Sequence, residues 1–448
     1  MPSEIAENPS EAASPRSRPS RSWLAALYPA VWRWHFWAGL LITPVLILLA
    51  LTGGLYVFQK ELRQATRPAW YRVDPPPGAA KQSYAARVAA AKAALPDGWE
   101  FDAFNESPDP RAADELVFET DDGPQHIHRF VYVDPYRARV LGFYDFERSF
   151  FGTVIRLHTQ LLAGTAGRLI LEVATCWGIV SLLTGLLLWW PRGKEKLWGV
   201  WLPRLRRGAR IALRDLHTLP GLYLAAAAFA IMVTGLLYTP VWGKAAFAGL
   251  FFGGQLPPAY VSPPKSTPLP EGATPAGIDA VVAEARRHYP FPEFRLQAPH
   301  APGASWVLYG PTQTGDLDDG VVYVDATTGR TLATIDYPSL KPGAKVALMF
   351  YSIHTGSVFG TPTKVLAVIA CLVIVAMSVT GVWMWWRRRP AGRFGAPRKT
   401  AGEAVPRAAV AAIIVLAIVF PLVGASLLAL WLAEFGLRLV RRRPARAV

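Results

Sequence analysis

Cysteine and charge are both scarce in this sequence, and the short motifs of soluble catalysts are missing. Two cysteines occur in 448 residues, Cys176 and Cys371, each inside an apolar run. That excludes a disulfide framework, an iron–sulfur cluster on thiolates and a cysteine-based zinc site. No Cys-x-x-Cys-His stands in the chain, which excludes covalent c-type haem attachment. There is no phosphate-cradling glycine loop, which argues against an ATP-driven transporter, and no Ser/His/Asp triad can be nominated. Charged residues make up 18% of the chain, against about 25% in soluble domains. With 52% hydrophobic residues and a mean hydropathy of +0.22, the chain reads as membrane-embedded.

Five apolar stretches are long enough to cross a bilayer, a distance that takes about 20 residues. They divide the chain as follows. A disordered cytoplasmic tail, 1–20, leads into a first span, 21–58, whose apolar run is too long for a cleavable signal. A first loop domain, 59–150, is followed by the second span with its lead-in, 151–191. A basic loop, 192–215, precedes the third span, 216–241. A second loop domain, 242–345, leads to the fourth span with its lead-in, 346–386. A second basic loop, 387–407, precedes a fifth span or helical hairpin, 408–436, and a basic tail, 437–448. Residues 192–215 carry eight Lys/Arg against two acids, and 387–407 carry seven against one. The large loops are slightly acidic, with 13 basic and 15 acidic residues in 59–157 and 8 and 9 in 243–353. The positive-inside rule therefore puts the short loops and the N-terminus in the cytoplasm and both large loops in the periplasm of a bacterial inner membrane. The net charge of +15 becomes an orientation signal, and nucleic acid drops out as a partner. The Arg441-Arg442-Arg443 run conflicts with a fifth span that would carry it outward.

Each large loop reads as one helix and then a short antiparallel sheet. Helical spacing covers Ser83 to Leu95 and Gly277 to Tyr289. Strands are expected at Glu115–Thr120, Ile127–Val133 and Arg139–Tyr144, and again at Trp306–Tyr309, Val321–Val324 and Arg330–Asp336. The predicted fold is thus an α-helical bundle of about five transmembrane helices with two α+β periplasmic domains.

The halves of the chain match each other. His35 precedes Thr52-Gly53 by 17 residues, and His217 precedes Thr234-Gly235 by 17. His158 precedes Thr184-Gly185 by 26, and His354 precedes Thr380-Gly381 by 26. Val131-Tyr132-Val133-Asp134 parallels Val322-Tyr323-Val324-Asp325. This internal two-fold repeat keeps both halves in the same orientation. It also puts four histidines in register at two depths. Imidazole is the usual axial ligand of a b-type haem. A helix from His35 to Thr52 rises about 26 Å, nearly the hydrocarbon core, so His35 and His158 cannot share an iron. The expected pairs are His35 with His217 and His158 with His354, which makes two bis-histidine haems b, one near each face. Gly39 and Gly221, one turn from the cytoplasmic histidines, would let a flat macrocycle approach. Arg33, Arg156 and Arg214, just before histidines, are candidates for haem propionates.

Other features read more plainly. Trp189, Trp190, Trp383, Trp385 and Trp386 fit an interfacial belt. His126 and His128 alternate on a strand and share a face; a transient metal site is conceivable there, and a solvated sheet face is the simpler reading. His288 and His300 are isolated. Asp316, Asp318 and Asp319 mark a hairpin tip. Glu172 lies near a span end, and no span centre carries a charge, which disfavours a transporter with a polar midplane.

These residues resemble the PepSY-associated transmembrane family, which includes iron-regulated inner-membrane proteins and ferric-siderophore reductases. The likeness rests on the His35 and His217 span starts, Arg156-Leu157-His158, Ile353-His354-Thr355-Gly356, the Thr-Gly pairs and the two helix-plus-sheet loops, over about residues 28–390. It implies PepSY-type periplasmic domains on a haem-b-binding bundle and reduction of a periplasmic ferric siderophore to release iron(II). No flavin-reductase extension is present, so the electron donor, a quinol or a cytoplasmic reductant, stays open. The competing expectation is a non-redox membrane protein whose periplasmic domains bind a protein or siderophore partner. Membrane lipids are partners under either reading.

Overall fold

The computed structural model describes residues 23–123, 125–191, 198, 200–290, 293–310, 320–397 and 407–441. The expected tail at 1–20, the cluster Arg192 to Lys196, the acidic tip at 316–319, the 398–406 part of the second basic loop and Arg442-Arg443 lie outside the described residues.

The long helix α1 (Trp23–Val57) leads into the short α2 (Gln59–Thr66) and α3 (Pro68–Tyr71). The first large loop then folds as α4 (Tyr84–Ala93), β1 (Glu100–Glu106), β2 (Asp114–Asp122), β3 (Gln125–Asp134) and β4 (Arg139–Asp145). The chain returns through α5 (Phe150–Gln160) and α6 (Gly164–Trp189), then α7 (Ala209–Tyr223), α8 (Ala225–Leu236), α9 (Trp242–Phe252) and α10 (Pro258–Val261). The second large loop gives α11 (Ile278–His288), β5 (Phe294–Gln297), β6 (Trp306–Tyr309), β7 (Gly320–Val324) and β8 (Thr331–Asp336). Last come α12 (Pro342–Thr355), α13 (Thr361–Arg388), α14 (Arg407–Val419) and α15 (Pro421–Arg441).

Among the described residues, α1, α6 and α13 are each long and apolar enough to cross a membrane, and α7 with α8, bent by 64°, makes a fourth if the pair is counted as one span. The bend falls at Leu224, between the two helices. The fifth apolar stretch is not one straight span. It breaks at Phe420, before Pro421, into α14 and α15, which pack on each other. Phe420 and Val423 at the break are buried against Cys176, Ile179 and Leu236, and the Trp177 indole donates to Ser426 Oγ at 3.0 Å. The lead-ins to α6 and α13 are not continuous with those helices. They are separate helices, α5 and α12, stopped by left-handed residues at Leu161 (φ 51°) and Gly356 (φ 71°), and so His158 is not on a straight extension of α6.

The expected two separate sheets are in fact one. All eight strands form a single antiparallel sheet in the order β4-β3-β2-β1-β5-β6-β7-β8. The joint is β1 against β5, with Phe104 opposite Leu296 and Glu106 opposite Phe294. Either strand alone would leave an unpaired edge in mid-sheet, and pairing them removes both. α4 and α11 contribute to a shared core with Phe104, Leu116, Val131, Leu296, Leu308 and Val322. Polar contacts cross the same seam. Asp279 accepts from the amides of Tyr84 (2.7 Å) and Ala85 (3.1 Å), which caps α4 from the other half of the chain. Glu106 on β1 takes Lys81 at 2.7 Å and Arg286 at 2.8 Å. The sheet therefore lies on one side of the helical bundle, at the ends where α1 stops and α5 begins.

Candidate functional site: two facing imidazole pairs

The structure brings the four registered histidines together in twos. His35 on α1 faces His217 on α7 with ring centres 6.2 Å apart. His158 on α5 faces His354 on α12 at 6.1 Å. The first pair lies far from the sheet, and the second lies beside Leu49 and Thr52, near the sheet end of α1.

Among the described residues, Nδ1 of each imidazole has a hydrogen-bond partner and Nε2 has none. Nδ1 donates to a backbone carbonyl that a neighbouring helix leaves in reach: Ser181 for His35 (3.0 Å), Met377 for His217 (2.9 Å), Leu49 for His158 (3.1 Å) and Ile231 for His354 (2.9 Å). Those carbonyls face inward beside a Thr-Gly pair in every case. Thr184, Thr380 and Thr52 hydroxyls lie 3.1–3.2 Å from the same nitrogens. The following glycine lies under the ring. A Cβ would come within 3.1 Å of His35 Cε1 at Gly185, 3.3 Å of His217 at Gly381, 2.8 Å of His158 at Gly53 and 2.7 Å of His354 at Gly235. An Nδ1–H bonded to a carbonyl fixes the tautomer and leaves a lone pair on Nε2, which is how metal-ligating histidines are held.

The spacing fits one metal between two rings. With metal–nitrogen bonds of about 2.0–2.1 Å and ~1.1 Å from nitrogen to ring centre, rings ligating from opposite sides have centres about 6.2–6.4 Å apart. Near the first pair the bundle encloses a cavity of about 600 Å³, lined by His35, His217, Gly39, Gly185, Gly221 and Gly381 among others. That volume suits a cofactor. Gly39 has open space where a Cβ would stand, whereas Gly221 backs onto Met377. Trp189, Trp190 and Trp385 line the cavity, and Trp190, Trp383 and Trp386 are also exposed.

The arginines divide. Arg214 lines the cavity beside His217 and also contacts Asp215 at 3.3 Å. Arg33 is not among the lining residues; Arg388, which sequence reasoning passed over, is, with its guanidinium 5.7 Å from the Trp32 ring. Arg156 lies two residues before His158, and its buried Nε has no hydrogen-bond partner, as is also true of Arg63 Nε and Gln59 Oε1 on α2. An open arginine donor on the helix that carries His158 is of the kind that suits an anionic group such as a propionate. The residues present thus fit a bis-histidine haem at the first pair, and at the second the ring spacing and the Nδ1 contacts match those of the first.

Glu172, the buried acid on α6, has a structural task. Its carboxylate accepts from the amides of Val241 (2.9 Å) and Trp242 (2.6 Å) and so caps α9. His126 and His128 share a sheet face, with ring centres 4.9 Å apart.

No curated protein matches this chain. The family model described as the PepSY-associated TM region matches residues 32–388, a stretch that begins just before His35 and ends just after the last Trp pair. With most of its length matched and membrane-spanning helices in place, this multi-pass membrane protein belongs to the PepSY-associated transmembrane family.

Proposed function

We propose that the protein is a di-haem b oxidoreductase of the bacterial inner membrane, which takes electrons on the side away from the sheet and delivers them on the sheet side to a ferric siderophore, releasing iron as iron(II). The observation that carries this reading is the pair of facing imidazole sets, each ring oriented by Nδ1 with Nε2 free, at two depths of one bundle. Haem b, when bound, supplies one-electron transfer. His35 and His217 would hold one group and His158 and His354 the other, with Arg214, Arg388 and Arg156 near enough in sequence or space to meet the propionates. The walls of the first site are mostly apolar. The donor is a quinol or a cytoplasmic reductant. The acceptor class follows from the family resemblance.

The orientation belongs to the same proposal. Basic loops on the far side put the N-terminus in the cytoplasm and the sheet in the periplasm. Support for the internal repeat comes from correspondence of detail: each histidine rests on a Thr-Gly pair of a neighbouring helix, and each half supplies four strands.

The test is a visible spectrum of dithionite-reduced, purified protein. Two b-type haems per chain are expected. His217→Ala should remove the one far from the sheet and keep the other. An absence of haem absorbance would overturn the reading and leave the non-redox, partner-binding alternative.

A further inference from the structure

The sheet carries a second cluster of ligating side chains that the imidazole pairs do not involve. Glu119 on β2, His126 and His128 on β3 bring one donor atom each to within 4.8 Å of one another. Asp102 on β1, Glu119 and His300, just after β5, do the same around the other carboxylate oxygen of Glu119. Antiparallel pairing creates this set, because Glu119 stands opposite His128 and Asp121 opposite His126. His300 arrives from the other half of the chain through the β1–β5 joint.

The contacts have the layout of a metal centre with its supporting shell. Glu119 Oε2 lies 3.0 Å from His126 Nε2, close to the ~3.3 Å between two donors on one tetrahedral ion with bonds of about 2.0 Å. The second nitrogen of His126 is held by Asp121 at 2.9 Å. Nδ1 of His128 is held by Glu147 at 2.8 Å, and its Nε2 stays available. The second oxygen of Glu119 meets His300 Nδ1 at 3.0 Å, and His300 Nε2 rests on Asp102 at 2.9 Å. Each of the three donors is therefore oriented by a further polar group, as metal ligands are. Two imidazoles, His126 and His300, meet the two oxygens of the one Glu119 carboxylate, and His128 stands beside it with its own support from Glu147. The side chains of Asp102 and Glu119 are 7% and 18% exposed, and that of His126 is 48% exposed, so the centre is backed by protein and open on one side.

We infer that Glu119, His126 and His128 bind one divalent first-row transition-metal ion on the sheet domain, with Asp102 and His300 positioning the Glu119 carboxylate. Two imidazoles and one carboxylate suit Zn²⁺, Fe²⁺ or Cu²⁺ and leave a fourth position for water or a ligand; they do not suit Ca²⁺ or Mg²⁺, which take oxygen. The inference does not rest on haem in the bundle.

The test is calorimetric titration of the full-length, purified, chelator-washed protein with Zn²⁺, and anaerobically with Fe²⁺. One ion per chain is expected, undisturbed by excess Mg²⁺. Glu119→Gln and His128→Asn should each weaken binding at least tenfold, and His300→Asn about tenfold through the supporting shell. His158→Ala should leave the titration unchanged, which separates this site from the imidazole pairs. Unaltered far-ultraviolet circular dichroism shows that a variant is folded, and Asp121→Asn, at an 80% exposed position, gives a milder second variant. Lack of stoichiometric uptake by the parent protein, or uptake indifferent to Glu119→Gln and His128→Asn, overturns the site.

Discussion

An imidazole lying against a helix backbone needs a residue without a Cβ beneath it. The four glycines that meet this need are not equally tight. Gly53 and Gly235 leave 2.8 and 2.7 Å for a Cβ against the sheet-side histidines, while Gly185 and Gly381 leave 3.1 and 3.3 Å on the far side. Alanine at 53 or 235 is therefore expected to displace its ring and lose the sheet-side haem absorbance, and alanine at 381 to shift the far-side spectrum only slightly. Equal effects at 235 and 381 would contradict the packing. The sequence showed the histidines clearly, because 17- and 26-residue spacings recur. It also showed the Thr-Gly pairs, yet their role as cradles was hidden, since each serves a histidine on another helix. A second residue-scale expectation concerns Asp325. Burial pushes its carboxyl up, but the Thr267 hydroxyl and amide and the Thr328 and Thr327 amides outweigh this and hold it at about 2, below the ordinary 3.8. A depressed folded value means that its stabilisation is complete above about pH 4 and fades as pH falls towards 2. Asp325→Asn should flatten that part of the acid unfolding profile; an unchanged slope would refute the assignment.

At the level of elements, the seam between β1 and β5 governs the sheet. Those two strands were the ones that periodicity failed to reveal. β1 is rich in acids and carries a bulge near Asp102, and β5 has four residues, so neither shows a run of β-branched side chains. The other six strands and both helices were legible to within a few residues. Leu296 on β5 is fully buried in the core shared by both halves. Leu296→Ala is expected to cost about 2–5 kcal/mol and to speed amide exchange in β2 as well as β6. Exchange confined to β5–β8 would mean that the halves unfold independently. The Phe420 break stands at Pro421, in the stretch expected as a fifth span or helical hairpin, and it is buried against α6 and α8.

At the scale of the whole molecule, charge and architecture agree on a direction. The basic residues Arg204, Arg206, Arg207, Arg210 and Arg214 lie between α6 and the bend, and Arg387 to Arg389 close α13, all at the ends opposite the sheet. Cysteine introduced at exposed Asp121 should react with a membrane-impermeant thiol reagent in intact cells, and one at Arg207 only after lysis. The reverse labelling would invert the proposed direction of electron flow. Class and membrane character were evident in the composition, whereas the fusion of two loops into one sheet depended on a contact between Phe104 and Leu296 that is remote along the chain.

That seam also puts a clock on biosynthesis. β1 to β4 leave the ribosome long before β5, and α6 and the α7–α8 bend must be inserted in between. At a synthesis rate of about 5–20 residues per second, β1 waits on the order of 10–40 s with an open edge. During that interval the half-built sheet is a template for foreign strands, and the nascent chain needs either a guarding chaperone or prompt membrane insertion to keep it for its own second half.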